Sequence, residues 1–166
     1  MLQYEIIDKL RSAGGLTYAE VCRDGKPITS VYLSRIIAQK EIAIPERTFK
    51  AIVKSLCNAR TARVRAQQKV RKEYKYVCEL KTPQPIVRLR KAAGLTQRKL
   101  ASQHGVSATR IQALEAEDKK LTVGAYDALR LSIASAYQVQ IMWWNREADE
   151  WRDACEEIGL EDGELQ

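Results

Sequence analysis

The side chains best able to do chemistry cluster between residues 96 and 115. Gln97, Arg98 and Lys99 are followed by Ser107, Ala108, Thr109, Arg110 and Gln112, a set of amides, hydroxyls and cations interleaved with small residues. Such groups donate and accept hydrogen bonds and neutralise negative charge, which suits recognition of a polyanion. Bond-making chemistry has no comparable set. The basic part of the chain has no Ser-His-Asp or Cys-His arrangement, phosphate-cradling glycine loop or acidic metal cluster. The expectation is a binding protein and not an enzyme, with no cofactor and no metal.

Local physics supplies the elements that position these side chains. Thr96 is an N-cap, Leu100 and Ala101 fall on one helical face, and Arg98, Lys99 and Gln103 fall on the other. Gly105 can take the positive φ of a sharp turn, and Ser107 can cap the helix that follows. Val106, Ile111 and Leu114 then recur as a narrow apolar stripe, leaving Ala108, Thr109, Arg110, Gln112 and Ala113 outside it. Small and hydrogen-bonding groups on an exposed helix face can approach base edges closely, as a helix lying in the DNA major groove must.

The string Leu89-Arg90, Gly94-Leu95-Thr96-Gln97, Leu100-Ala101, Gly105-Val106-Ser107, Ile111 and Leu114-Glu115 resembles the Cro and lambda-repressor type of helix-turn-helix family. The resemblance covers residues 85–136 well and 8–57 loosely. It implies that Gln97 meets the phosphate backbone and that Ser107, Ala108, Thr109 and Gln112 read bases. Arg98, Lys99 and Arg110 are expected to add contacts beside them. One departure stands at residues 117–120, where Glu117, Asp118, Lys119 and Lys120 replace the glycine-containing turn usual in the family.

The same wording occurs twice. Leu10-Arg11-Ser12-Ala13-Gly14-Gly15-Leu16-Thr17 matches Leu89 to Thr96 at six of eight positions, with an offset of 79. Val21 answers Leu100, and Ile28, Leu33 and Ile36 answer Val106, Ile111 and Leu114 with the same spacings of five and three. In this copy Tyr18 replaces the glutamine, and Asp24-Gly25-Lys26-Pro27 lengthens the turn by one residue. The resemblance, carried over by position, makes Thr29, Ser30, Val31 and Ser34 its base readers, with Arg35 reaching a guanine edge or a phosphate. A degenerate copy used for packing or dimerisation is the alternative. Pro45 opens a fourth helix carrying Phe49, Ile52, Val53 and Leu56, whose counterpart begins near Thr122 with Tyr126, Leu129 and Ile133.

Between the copies, residues 60–76 hold seven basic residues against one acid and lack Gly and Pro. This reads as a basic linker helix ending before Pro83 and Pro85, with Arg63 and Lys69 among its phosphate contacts. At about 21 residues it would be roughly 32 Å long, close to the ~34 Å between major grooves on one face of a duplex. The net charge of +7 hides a division, because residues 1–144 carry 26 Lys/Arg against 12 Asp/Glu and residues 145–166 carry 2 against 9. Residues 137–144 are compatible with a short strand or a continuing helix, and 145–157 read as a helix with Trp144, Trp151 and Cys155 on one side. That acidic segment is expected to fold back on the basic surface and weaken nonspecific DNA binding, with the tryptophans as packing or dimer groups.

Cys22, Cys57, Cys78 and Cys155 have no metal-ligand spacing, and His104, the only histidine, is expected to be a solvated or capping group. No stretch has the length of a transmembrane helix or the pattern of a signal peptide, giving an expected cytoplasmic location without membrane contact. The fold expectation is all-α: two tandem lambda-repressor-like helix-turn-helix domains at 1–59 and 85–138, a basic linker helix at 60–84 and an acidic C-terminal helix at 139–166. The function expected is a DNA-binding transcriptional regulator, a repressor by promoter occlusion, whose partner is a double-stranded operator. A homodimer, an antitoxin-like protein partner held by the C-terminal segment, and folded RNA as the ligand remain open beside it.

Overall fold

A computed structural model describes residues 1–23, 28–40, 43–117 and 120–160. Their regular structure is all-helical: α1 (Gln3–Ala13), α2 (Tyr18–Val21), α3 (Ser30–Gln39), α4 (Glu46–Glu79), α5 (Ile86–Ala92), α6 (Gln97–His104), α7 (Ala108–Ala116) and α8 (Val123–Ile158). Among the described residues no helix is long and apolar enough to cross a membrane. The two departures from the family wording, Asp24 to Pro27 and Asp118-Lys119, and the acidic end at 161–166 lie outside the described residues.

The chain divides into two compact units, Met1–Arg65 with Asn145–Gln166, and Ala66–Trp144. This differs from a linker at 60–84 and a separate tail at 139–166. The fourth helix of the first copy does not stop at residue 59, because neither Gly nor Pro interrupts residues 46–79; it runs on through the basic stretch as α4. Residues 137–144 are likewise helix, inside the 36 residues of α8, not a strand.

Unit 1 buries Ile7, Leu10, Leu33, Ile36, Ile52 and Leu56 completely, together with Leu16, Val21 and Ile28. Trp151, Ala154 and Cys155 of the acidic segment belong to this same core. In unit 2 the core is Val77, Ile86, Leu89, Leu95, Leu100, Ile111, Leu129 and Ile133. Every fourth-helix position expected to face inward does so at least in part: Ile52 and Leu56 are buried while Phe49 and Val53 are half-buried.

The internal repeat is also a repeat of hydrogen bonds. In unit 1 the Gly15 N–H donates to Ser12 O at 3.0 Å and the Leu16 N–H to Arg11 O at 2.9 Å; in unit 2 Gly94 donates to Lys91 O at 3.0 Å and Leu95 to Arg90 O at 3.1 Å. Gly15 and Gly94 sit at φ +60 and +67, a left-handed conformation that glycine adopts without Cβ strain. Six matching residues thus encode one helix-ending corner, used twice.

Gly105, at φ +73, turns the chain between α6 and α7, its N–H donating to Ala101 O. A Cβ there would meet nothing within 4 Å, so a side chain costs conformational energy alone. Gly105→Ala is expected to destabilise unit 2 by about 1–2 kcal/mol, read as a lower urea midpoint. An unchanged midpoint would mean that the corner does not need the left-handed residue.

Candidate nucleic-acid interface

Both helices of the corner start on a hydroxyl cap. Thr96 Oγ1 accepts from the Lys99 N–H at 3.1 Å, and Ser107 Oγ accepts from the Arg110 N–H at 3.1 Å. Leu100, Ala101 and Ile111 are buried, and Leu114 is half-buried. Val106 departs from the expected stripe: it lies in the turn and not on α7, and it keeps 36% of its surface exposed.

What fixes α7 is a buried ion pair. Arg90 Nε donates to Glu115 Oε1 at 2.5 Å and Arg90 Nη2 to Glu115 Oε2 at 3.1 Å, while Arg90 Nη1 donates to the Leu95 carbonyl at 2.7 Å. The two side chains are only 9% and 6% exposed. Burial alone would raise the Glu115 carboxyl, but hydrogen bonds from Arg90 and Gln97 and the charges of Arg90 and Lys91 outweigh it and hold the group below its ordinary range. Gln97 Nε2 donates to Glu115 Oε2 at 2.8 Å, so the amide expected to meet phosphate also braces α7 from the first turn of α6.

This inward turn of Glu115 governs the electrostatics of the outer surface. Glu115 is the only acid in α7, and with it buried the exposed positions are Thr109, Arg110, Gln112, Ala113 and Ala116, beside the exposed cap Ser107 and half-buried Ala108. On α6, Arg98 and Lys99 are exposed, and Lys99 Nζ lies 3.5 Å from Gln140 Oε1. Gln103 donates to Ser135 Oγ at 3.0 Å and His104 Nδ1 lies 2.8 Å from Ser132 Oγ. Ser132 gives its own proton to the Ala128 carbonyl, so His104 Nδ1 is the donor in that pair. His104 therefore ties α6 to α8 and is not simply a solvated group.

The equivalent surface in unit 1 is built differently. Thr29 caps α3 by accepting from the Tyr32 N–H at 3.1 Å, and Thr29, Ser30 and Arg35 are exposed with Val31 at 76%. Ser34 is half-buried, and Arg35 Nε donates to Gln39 at 2.9 Å. The helix preceding this corner, α2, has four residues against eight in α6. Arg11 repeats the Arg90 contact, its Nη1 donating to Leu16 O at 3.3 Å. No acid stands where Glu115 would be, since Ile37 follows Ile36; Arg11 instead bonds Asp8 at 2.7 Å and lies 5.0 Å over the Tyr18 ring. Tyr18 in place of Gln97 is thus matched to the loss of the acid.

Of the two linker cations, Lys69 is exposed and Arg63 is not free to meet phosphate. Arg63 donates to Glu147 at 3.1 and 2.8 Å and to Glu20 at 3.2 Å. Its bond to Glu147 raises the guanidinium pKa, whereas burial lowers that of neighbouring Arg60, which is 3.6 Å from Glu147 and donates to Gly14 O at 3.3 Å. Glu147 was legible only as one of nine acids. Nothing in its spacing marks it as the one that answers two arginines 84 and 87 residues earlier. The Arg90–Glu115 pair had a signal, because both residues belong to the quoted motif.

Comparison of the chain with models of protein families, with curated proteins and with solved structures gives no match.

Proposed function

We propose that the protein is a sequence-specific, double-stranded DNA-binding transcriptional regulator that uses α6 and α7 as a helix-turn-helix, with α7 in the major groove. One observation carries the reading: the sole acid of α7 is buried against Arg90, leaving an outer face of Ser107, Thr109, Arg110 and Gln112 without negative charge. Arg bidentate to guanine and Gln bidentate to adenine are the pairings this face would make, each discriminating by about 1–3 kcal/mol. Arg98, Lys99 and Lys69 supply phosphate contacts that set register. In unit 1, α3 presents Thr29, Ser30, exposed Val31 and Arg35 as a second, divergent reader, in which Val31 suits a thymine methyl group. Repression by occlusion of a promoter is the simplest regulation such a protein performs. The C-terminal segment is less suited to holding a protein partner, since Trp151, Ala154 and Cys155 are already spent in the core of unit 1.

The test is selection of bound duplexes from a random pool, with the intact protein and with a Thr109→Ala, Arg110→Ala double variant. The intact protein is expected to enrich a defined motif that the variant loses, while both keep salt-sensitive general binding. Absence of any enriched motif with the intact protein would overturn the reading.

A further inference from the structure

Within unit 1, α4 carries two neighbouring rows of side chains, Phe49–Val53–Cys57 and Lys50–Lys54–Asn58, each stepping along one helix face by a turn at a time. Both rows line a cleft of about 530 Å³. Cys57 is buried and Phe49 and Val53 are half-buried, so the first row is its apolar floor; Lys50, Lys54 and Asn58 are exposed, so the second is its polar edge. Each row spans roughly 12 Å at 1.5 Å per residue. Among the described residues no acid lines the cleft.

The other walls are Ile6 of α1, Ile158 at the end of α8, and Leu160 beyond it. Leu160 is set there by a third use of the corner that ends α1 and α5. The Gly159 N–H donates to Glu156 O at 3.2 Å and the Leu160 N–H to Cys155 O at 3.0 Å, with Gly159 at φ +70, the same bonds and the same left-handed glycine as at Gly15-Leu16 and Gly94-Leu95. The outcome for the leucine differs. Leu16 and Leu95 are 2% and 4% exposed in their cores, whereas Leu160 is only half-buried and turns its remaining surface to the cleft. Its position is thus fixed by backbone bonds, and the cleft has a built wall on that side.

We propose that this cleft binds a small carboxylic acid with an elongated apolar chain, the chain lying along Phe49, Val53 and Leu160 and the carboxylate meeting Lys54. Its volume is that of small-molecule sites, which are mostly apolar with a few polar groups that fix orientation. The charge on its edge is positive and unopposed within the lining, which selects an anion; the floor offers nothing to a polar body, which selects an apolar one. Lys50 is bonded to Glu46 at 2.7 Å, so Lys54, at the middle of the row, is the cation assigned to the ligand, with the Asn58 amide one turn away to donate to the second carboxylate oxygen. The lysine stems extend the apolar wall while their heads stay in water. The occupied cleft would tie α1, α4 and the end of α8 together within unit 1, so the ligand stabilises that unit by binding it folded. None of this depends on what the protein binds through α7.

Calorimetric titration of the full-length chain with decanoate, kept below its micelle concentration, tests the site. One decanoate is expected to bind per chain, while decanol, which has the chain without the charge, and acetate, which has the charge without the chain, each bind at least about tenfold more weakly. Lys54→Glu is expected to weaken decanoate about tenfold and leave decanol unchanged, and Lys54→Arg to keep wild-type affinity. Val53→Trp, which fills the floor, is expected to abolish binding, with circular dichroism as the control for folding; the Lys54 pair, being at an exposed position, carries the test if that variant does not fold. No saturable binding of decanoate to the wild type would overturn the proposal. So would equal affinity for decanol and decanoate, or a Lys54→Glu variant that binds decanoate as the wild type does. A folded Val53→Trp variant with undiminished affinity would place the ligand outside this cleft.

Discussion

Trp151→Ala is expected to destabilise unit 1 by about 3–5 kcal/mol, the usual cost of deleting a large aromatic from a core. Trp151 is 8% exposed and belongs to the same apolar cluster as Ile7, Leu10 and Leu56. Its ring lies against the backbone at Gly14, so closely that a Cβ on that glycine would stand 3.0 Å from two ring atoms. The Arg60 guanidinium is 6.0 Å from its centroid. Truncation therefore empties a site whose walls are a helix end and a buried cation, neither of which collapses easily into the space. Urea denaturation of the full chain, followed by far-ultraviolet circular dichroism, should show an early transition absent from the wild type. Trp143→Ala is the internal control: at 58% exposure it should change stability by no more than about 0.5 kcal/mol. An unshifted first transition in Trp151→Ala would mean that residues 145–158 are not part of the unit 1 core.

The same contacts change how the acidic segment must be probed. Deleting residues 145–166 would remove Trp151, Ala154 and Cys155 from the core and Glu147 from Arg60 and Arg63, so any gain in nonspecific DNA binding would be mixed with unfolding. Glu147→Gln separates the two, since it keeps the shape beside Gly15 and removes only the charge.

Much of unit 2 was legible because its rules are local. Thr96 and Ser107 announce helix starts, Gly94 and Gly105 announce left-handed turns, and Leu100 and Ile111 announce the buried side, in two sets, residues 94–100 and 105–111, of seven residues each. The repeat carried this reading back to residues 10–36 even though Tyr18 and the longer turn blur it. What could not be read is non-local. That the segment after Asn145 completes unit 1 depends on Trp151 meeting Gly14, 137 residues away, and a helical pattern in 145–157 is satisfied equally well by any apolar surface. The fusion of the fourth helix to the basic stretch was legible in the absence of Gly and Pro from 46 to 79; charge, which suggested a boundary near residue 60, does not stop a helix. Arg63 shows the limit of composition: it counts as one of seven cations until Glu147 and Glu20 claim it.

The second large effect is expected at Glu115. Glu115→Ala leaves Arg90 buried with no counter-ion, and removing one partner of a buried pair costs about 3–5 kcal/mol. Gln97 also loses the oxygen that its amide holds at 2.8 Å, so the polar tie between α6 and α7 goes together with the one to α5. Arg90→Ala should cost a similar amount, and it additionally strips a donor from the Leu95 carbonyl. If the pair acts as a unit, Arg90→Met with Glu115→Leu will be less destabilised than the sum of the single changes, because no charge is left stranded. Acid titration gives an independent check. The Glu115 carboxyl is held below its ordinary value of 4.5 when folded. Its contribution is therefore complete above that value and is lost as the pH falls through the lower folded value, where protonation of the native state begins to cost the ion pair. Wild-type unit 2 should lose stability steeply below about pH 4.5, and Glu115→Gln, already weaker at neutral pH, should lose less over the same interval. Equal acid slopes in the two proteins would show that the Arg90 contact contributes no net stability, and the orientation of α7 would then have to come from Ile111 and the Ser107 cap alone.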